Sequence, residues 1–96
     1  MIEITEENFE KETQKKIIIQ FSSKGCGPCH IQRNIIEKNE YTMEVEYGYC
    51  DIDYSVSLAS QNNIQTLPTL IVFENGKELK RKLGVQNINS LKELVG

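Results

Sequence analysis

The run Ile17-Ile18-Ile19-Gln20-Phe21 constrains the fold more than any other stretch, because it is rich in β-branched residues, nearly continuous and too short for a helix. Such a run is typical of a strand that is buried on both faces at the centre of a sheet. Two cysteines separated by two residues follow it, within the hexapeptide Gly25-Cys26-Gly27-Pro28-Cys29-His30. We therefore predict that the cysteine pair lies at the end of a central strand, where a helix begins.

Hydrophobic periodicity predicts the remaining elements in the order β-α-β-α-β-α-β-β-α. The predicted strands are Met1–Ile4, Ile17–Phe21, Met43–Asp51, Leu70–Phe73 and Glu78–Leu83. The predicted helices are one from an N-cap at Thr5 to Thr13 with Phe9 as its apolar anchor, Cys26–Asn39, a short one capped by Asp53 or Ser55 that carries Val56 and Leu58, and a last one capped by Asn87. Because no linker or repeat interrupts this order, we expect one α/β domain with a mixed sheet over residues 1–96.

Two local signals refine this layout. In the helix that follows the cysteines, Ile31, Ile35 and Ile36 recur at helical spacing, which predicts that they face the core while Gln32 and Arg33 face outward. Asn75-Gly76 between two strand-like runs predicts a tight hairpin, so the last two strands should be antiparallel neighbours.

Composition narrows the class of partner and the compartment. The net charge of −3 and a pI near 5.2 argue against nucleic acid or an acidic membrane surface as a partner, since both require a basic face. No stretch approaches the roughly 18 apolar residues of a membrane span, and the N-terminal residues lack the basic and apolar regions of a signal peptide. Three cysteines are too few for a secreted disulfide scaffold. We therefore expect a cytoplasmic monomer whose partners are proteins.

The chemistry of the cysteine pair follows from its position at a helix start. There the first sulfur lies beside unpaired backbone N–H groups, which favour a thiolate over a thiol. Cys26 at the exposed tip could attack a disulfide of another protein, and Cys29 could then attack the resulting mixed disulfide. Gly27 lets another chain approach the backbone closely, and Pro28 stiffens the turn.

Two other interpretations of these residues remain. Cys26, Cys29, His30 and Cys50 make a nominal set of zinc ligands, although structural zinc sites usually draw a second pair from another tight turn, whereas Cys50 is in a predicted strand. The cysteines could also be inert. We favour redox chemistry with no metal and no cofactor other than a Cys26–Cys29 disulfide, and we predict that Cys50 is a buried core residue. His30 could favour the Cys26 thiolate from the same helix face, but a solvated surface histidine is the simpler interpretation.

With these motifs in place, the sequence resembles the thioredoxin family over essentially its whole length. The resemblance is carried by Phe21, Cys26-Gly27-Pro28-Cys29, Asp51-Ile52-Asp53, Leu67-Pro68-Thr69, Phe73, Asn75-Gly76 and Gly84. It implies the thioredoxin fold, a three-layer α/β/α arrangement of a five-stranded mixed sheet and four helices. It also implies a cis Leu67–Pro68 bond that faces the cysteines, with backbone groups of Thr66 and Leu67 pairing with an extended substrate segment.

The function implied by the resemblance is protein disulfide reduction, with Cys26 as nucleophile and Cys29 as resolving thiol. Client proteins with disulfides would be the substrates and a thioredoxin reductase the electron donor, so that the protein would serve electron transport and cell redox homeostasis.

Four positions depart from the family pattern. Gln20 replaces a buried Asp thought to assist proton transfer at the resolving thiol, Tyr49 replaces the neighbouring Lys, and Gly25 replaces a Trp before the first cysteine, while Ser22 replaces an upstream aromatic residue. These departures predict that the buried ion pair is replaced by neutral polar groups and that the usual aromatic contact surface is missing. They keep two alternatives open, an oxidoreductase dedicated to one partner and a non-catalytic binding module.

Overall fold

The structure, a computed structural model, describes residues 1–96 and contains five strands and four helices in the predicted order. The strands are β1 (Ile2–Glu3), β2 (Ile17–Ser22), β3 (Glu46–Asp51), β4 (Thr69–Glu74) and β5 (Lys77–Leu83). The helices are α1 (Phe9–Glu12), α2 (Gly27–Asn39), α3 (Val56–Gln61) and α4 (Ile88–Val95). The five-stranded mixed sheet and the four helices are those of the fold that the resemblance implied. No helix has the length and apolar character needed to cross a membrane.

Strand β2 is the centre of the sheet, whose strand order is β1-β3-β2-β4-β5. Strands β1 and β2 run parallel to β3 on either side of it, whereas β4 is antiparallel to both β2 and β5. All six residues of β2 are buried, as predicted for a run that is apolar on both faces. The loop to the cysteines therefore leaves from the middle of the sheet.

Alternation along the strands divides the apolar side chains between two cores, one on each face of the sheet. Helices α1 and α3 cover the first core, and α2 and α4 cover the second. The first consists of Ile4, Ile17, Ile19, Phe21, Cys50, Leu58, Ile71 and Phe73. The second consists of Ile18, Ile36, Met43, Tyr47, Leu70, Val72, Leu91 and Leu94. Gln20 and Ser22 follow the phase of Ile18, so they face the layer that contains α2.

The hairpin between β4 and β5 has the predicted two-residue turn. Asn75 and Gly76 both adopt positive φ, at 56° and 76°. This is the backbone that a tight hairpin of this type requires, and Asn and Gly adopt it at the least steric cost. The predicted N-cap of the last helix is also present, because the side chain of Asn87 accepts a hydrogen bond from the Ser90 N–H at 2.9 Å.

Two predicted boundaries were wrong. Helix α1 has four residues and its N-cap position is Asn8, not Thr5, because the Asn8 side chain accepts from the Thr5 N–H and donates to the Glu3 carbonyl, which holds the preceding residues in a turn. Strand β3 starts at Glu46 because residues 40–42 form a short 3-10 helix. The N-cap position of helix α3 is Ser55, one of the two residues predicted for it, and the Val56 side chain in its first turn is exposed.

The predicted buried face of α2 was correct at Ile36, which is fully buried, and wrong at Ile31 and Gln32. Cys29, Gln32 and Ile36 are the buried residues of this helix, whereas 56% of Ile31 is exposed. Since an α-helix turns by about 100° per residue, Ile31 lies on the far side of the helix from Cys29. Burial of Cys29 therefore turns Gln32 inward and leaves Ile31 in solvent.

Candidate active site

The two cysteines of the Cys26-Gly27-Pro28-Cys29 turn form a disulfide at the start of α2. The S–S distance is 2.16 Å and the two Cα atoms are 5.3 Å apart. Cys26 is the N-cap of the helix, and its Sγ accepts a hydrogen bond from the Cys29 N–H at 3.1 Å. Pro28 lies in the first turn, where no intrahelical N–H bond is lost. The sulfur of Cys26 is thus held where backbone N–H groups stabilise negative charge.

The two sulfurs differ in exposure. Cys29 is fully buried, whereas Cys26 is half-buried and is flanked by the exposed Gly25, Gly27 and Pro28. Another protein can therefore approach Cys26 but not Cys29. This inequality is what an ordered two-step exchange requires of the pair.

Gln20 connects the central strand to the second cysteine. Its Nε2 donates to the Cys29 carbonyl at 2.9 Å and to Ser22 Oγ at 2.8 Å. Gln20 is fully buried, and its Oε1 has no hydrogen-bond partner. The residue thus positions the backbone of Cys29 and leaves one free acceptor in the interior.

Tyr49 lies next to Gln20, because the two residues are register partners in β2 and β3. The guanidinium carbon of Arg33, from α2, lies 4.5 Å from the centre of the Tyr49 ring. Such stacking is a favourable cation–π contact. The prediction that only neutral polar groups replace the ion pair was therefore incomplete, since α2 supplies a cation beside Tyr49.

His30 is exposed, and its hydrogen bond goes to the loop that precedes Cys26. Its Nε2 lies 2.8 Å from the Lys24 carbonyl oxygen, so this nitrogen carries the proton and donates. The side chain ties the loop to the first turn of α2.

The Leu67–Pro68 peptide bond is cis, as the resemblance implied. Thr69, the next residue, is the register partner of Phe21, so Pro68 lies beside the end of β2 where the loop to Cys26 begins. The Pro68 carbonyl accepts from the Gly84 N–H at 2.8 Å, and the Thr66 carbonyl accepts from Thr69 Oγ1 at 2.5 Å. We call the surface between Cys26 and residues 66–68 the groove.

Cys50 is on the other face of the sheet, in the core under α1 and α3. Burial raises the pKa of its thiol to about 12, so it stays protonated at neutral pH. The sheet separates Cys50 from the face that α2 and Cys29 occupy, so the nominal zinc set is not assembled. No group of three or more His, Cys, Asp or Glu side chains is arranged to hold a metal ion.

The sequence did not point to Gln32 and Gln86 as residues of this region. Gln32 Nε2 donates to the Gln86 carbonyl at 3.0 Å, and Gln32 Oε1 accepts from the Gln86 N–H at 2.5 Å. Helical spacing offered one signal, since Gln32 lies three residues after Cys29 and must share its face if Cys29 is buried.

The comparisons with known proteins agree with this geometry. The family model described as Thioredoxin matches residues 1–96. A thioredoxin of Mycoplasmoides gallisepticum is 33% identical over 88 residues, which cover 86% of this chain and 84% of that protein. A thioredoxin of Buchnera aphidicola is 31% identical over 100 residues, covering 99% and 93%. The X-ray structure of Fasciola hepatica thioredoxin is similar in fold, with a TM-score of 0.84 at 23% identity over 99% of this chain and 97% of that one.

Proposed function

The chain belongs to the thioredoxin family and is a thiol–disulfide oxidoreductase, and we propose that it reduces disulfides of client proteins with Cys26 as nucleophile and Cys29 as resolving thiol. The observation that carries this proposal is the closed pair at the start of α2, with one sulfur accessible and the other buried. The accessible sulfur also accepts a backbone N–H bond, which suits the attacking thiolate.

In the first step, the Cys26 thiolate of the reduced protein attacks one sulfur of the client disulfide. That bond breaks, a mixed disulfide forms between Cys26 and the client, and the second client sulfur leaves as a thiolate and takes a proton. Cys29 then loses its proton and attacks Cys26 Sγ, which releases the first client sulfur. The client gains two electrons and two protons, and the protein is left with the Cys26–Cys29 disulfide.

The groove supplies the second part of the proposal, which is how a client is held. Residues 66–68 lie beside the strand end from which the Cys26 loop departs, and Thr66 is exposed. An extended client segment would pair with the backbone of Thr66 and Leu67, as an added strand pairs with a sheet edge. We further propose that a thioredoxin reductase returns two electrons to the pair and that the protein acts as a cytoplasmic monomer with no cofactor besides its disulfide.

Serine variants test the order of attack. Turnover of insulin disulfides with dithiothreitol, corrected for the uncatalysed rate, should fall to background in Cys26→Ser, because the nucleophile is lost. Cys29→Ser should accumulate a mixed disulfide with insulin, which non-reducing electrophoresis and mass spectrometry detect. Equal turnover of the Cys26→Ser variant and the wild type would overturn the proposal.

One observation favours a narrower function, an oxidoreductase dedicated to a single partner. Gly25, beside the attacking sulfur, is exposed and adds no apolar contact area. Capture by Cys29→Ser in a lysate separates the two functions, since a general reductase would trap many proteins and a dedicated one would trap a single species. A binding module without catalysis would instead keep its partner when both cysteines are replaced by serine.

A further inference from the structure

Gln32 is a fully buried amide in a layer of apolar side chains. Burying such a group costs free energy unless its donor and acceptor are both paired. Both are paired here, and with the same residue, because Nε2 donates to the Gln86 carbonyl and Oε1 accepts from the Gln86 N–H. The side chain thus binds the backbone of Gln86 at two points, much as a neighbouring strand would.

The segment that Gln32 holds, residues 83–86, lies beside the groove. Leu83 is the register partner of Thr69, and the Gly84 N–H donates to the Pro68 carbonyl at 2.8 Å. The Gln86 side chain closes the segment on itself by donating to the carbonyls of Leu83 at 2.9 Å and Gly84 at 3.1 Å. The position of Gln86 therefore determines where the Gly84 N–H lies relative to the Pro68 carbonyl that it binds.

Leu83 and Val85 give this segment an apolar surface, because 56% and 40% of these residues are exposed. They lie near Pro68, where a client segment would lie under the proposed function. Gln32 belongs to α2, the helix that carries Cys29, so one side chain connects the helix of the cysteines to the segment 83–86 beside the groove.

From these contacts we propose that Gln32 is a positioning residue for client binding. It fixes residues 83–86 against α2 and so sets the distance between Cys26 and the apolar surface that this segment adds beside the groove. This inference rests on the proposed function, because it assumes that the groove holds the client. Gln32 touches neither sulfur in a hydrogen bond, so its effect should appear in binding and not in the exchange chemistry.

The test compares Gln32→Met, which keeps the length of the side chain and removes both hydrogen bonds, with Asn34→Ala, a loss of an exposed amide from the same helix. For insulin we expect Gln32→Met to raise KM about fivefold to tenfold and to change kcat less than about twofold. Reaction of the reduced variant with the small aryl disulfide dithiobisnitrobenzoate, which needs no groove, should match the wild type. Asn34→Ala should match the wild type in both reactions.

Hydrogen exchange gives a second measurement. The amides of Gly84 and Gln86 should exchange faster in Gln32→Met, whereas those of β2 should be unchanged. If Gln32→Met does not fold, Gln32→Glu is used, because its carboxylate still accepts from the Gln86 N–H; its KM should exceed the wild-type value by about twofold to tenfold. A folded variant with wild-type KM, or with equal losses toward insulin and the aryl disulfide, would overturn the inference. Failure of the wild type to reduce insulin would instead overturn the proposed function.

Discussion

Gly25 is a position where one side chain should change client affinity. A Cβ at this residue would have no heavy atom within 4 Å, and its φ is not in the left-handed region. We expect Gly25→Trp to fold normally and to lower the KM for insulin about threefold, since an aromatic ring adds apolar contact area beside the attacking sulfur. Insulin turnover measures this, with Gly25→Ser as the control that adds a side chain without an aromatic ring. An unchanged KM in the Trp variant would show that clients do not contact this side of Cys26.

Gln20 leads to a prediction about the pH dependence of the second step. With an amide beside Cys29, the rate of mixed-disulfide resolution should depend on the thiols alone, without a separate carboxylate ionisation. Gln20→Glu places an acid in the interior, where burial raises its pKa, and should add an ionisation to the pH–rate profile measured by rapid mixing. The exposed Gln61→Glu adds the same charge elsewhere and should leave the profile unchanged. Superimposable profiles for wild type and Gln20→Glu would argue against a role for this site in proton transfer.

Strand β3 packs closely against the Ile4 side chain because residue 48 is a glycine. A Cβ at this residue would lie 2.6 Å from Cγ1 and 3.0 Å from Cδ1 of Ile4, and 3.3 Å from Cδ1 of Ile17. We expect Gly48→Ala to lower the free energy of unfolding by about 1 to 3 kcal/mol, as overpacking does in tight cores. Urea denaturation of the oxidised protein measures this.

A double variant separates overpacking at Gly48 from a change in strand propensity. Ile4→Ala removes the atoms that the added Cβ of Gly48→Ala would contact. The double variant should therefore lose less free energy of unfolding than the sum of the losses in the two single variants. Gly25→Ala, where a Cβ meets nothing, is the control and should stay within about 0.5 kcal/mol of the wild type. Strict additivity of the two changes would contradict the steric explanation.

The elements could be predicted from the sequence where one strong local signal determines them. The Ile17–Phe21 run and Asn75-Gly76 gave the central strand and the hairpin, because burial and positive φ each select a narrow set of residues. The buried face of α2 could not be predicted in this way, since it depends on which side of the helix Cys29 must face. Ile31 is therefore exposed and Gln32 is buried, the reverse of the prediction. The contact between Gln32 and Gln86 joins residues 54 positions apart.

For the whole molecule, the sheet keeps the third cysteine apart from the redox pair. Cys50 and the α2 helix lie on opposite faces, so the attacking and resolving sulfurs have no third thiol on their own side. The family resemblance correctly implied the three layers and the cis Leu67–Pro68 bond. It could not supply the contact of Arg33 with Tyr49, because that cation comes from a residue outside the family motifs that carried the resemblance.

Burial of the Cys50 thiol and the Tyr47 hydroxyl predicts how the stability of the protein changes at alkaline pH. Desolvation raises the pKa of Cys50 from 9.0 to about 12 and that of Tyr47 from 10.0 to about 12. Both groups are essentially neutral in the folded and unfolded states below about pH 8, so they contribute no pH dependence there. Above that pH the unfolded chain ionises first, and the stability that the neutral groups contribute is lost as the pH rises toward the folded-state pKa values. The free energy of unfolding should therefore fall by about 1 to 2 kcal/mol between about pH 8 and about pH 10.

Urea denaturation of the oxidised protein measures this fall, because the disulfide removes the ionisation of Cys26 and Cys29 from both states. Cys50→Ala should lose most of it, with the remainder due to Tyr47. Leu58→Ala, in the same core, is the matched control, since it should destabilise the protein at every pH while keeping the wild-type slope. A Cys50→Ala variant with the wild-type slope would mean that the Cys50 thiol is not desolvated, and therefore that the core under α1 and α3 admits water.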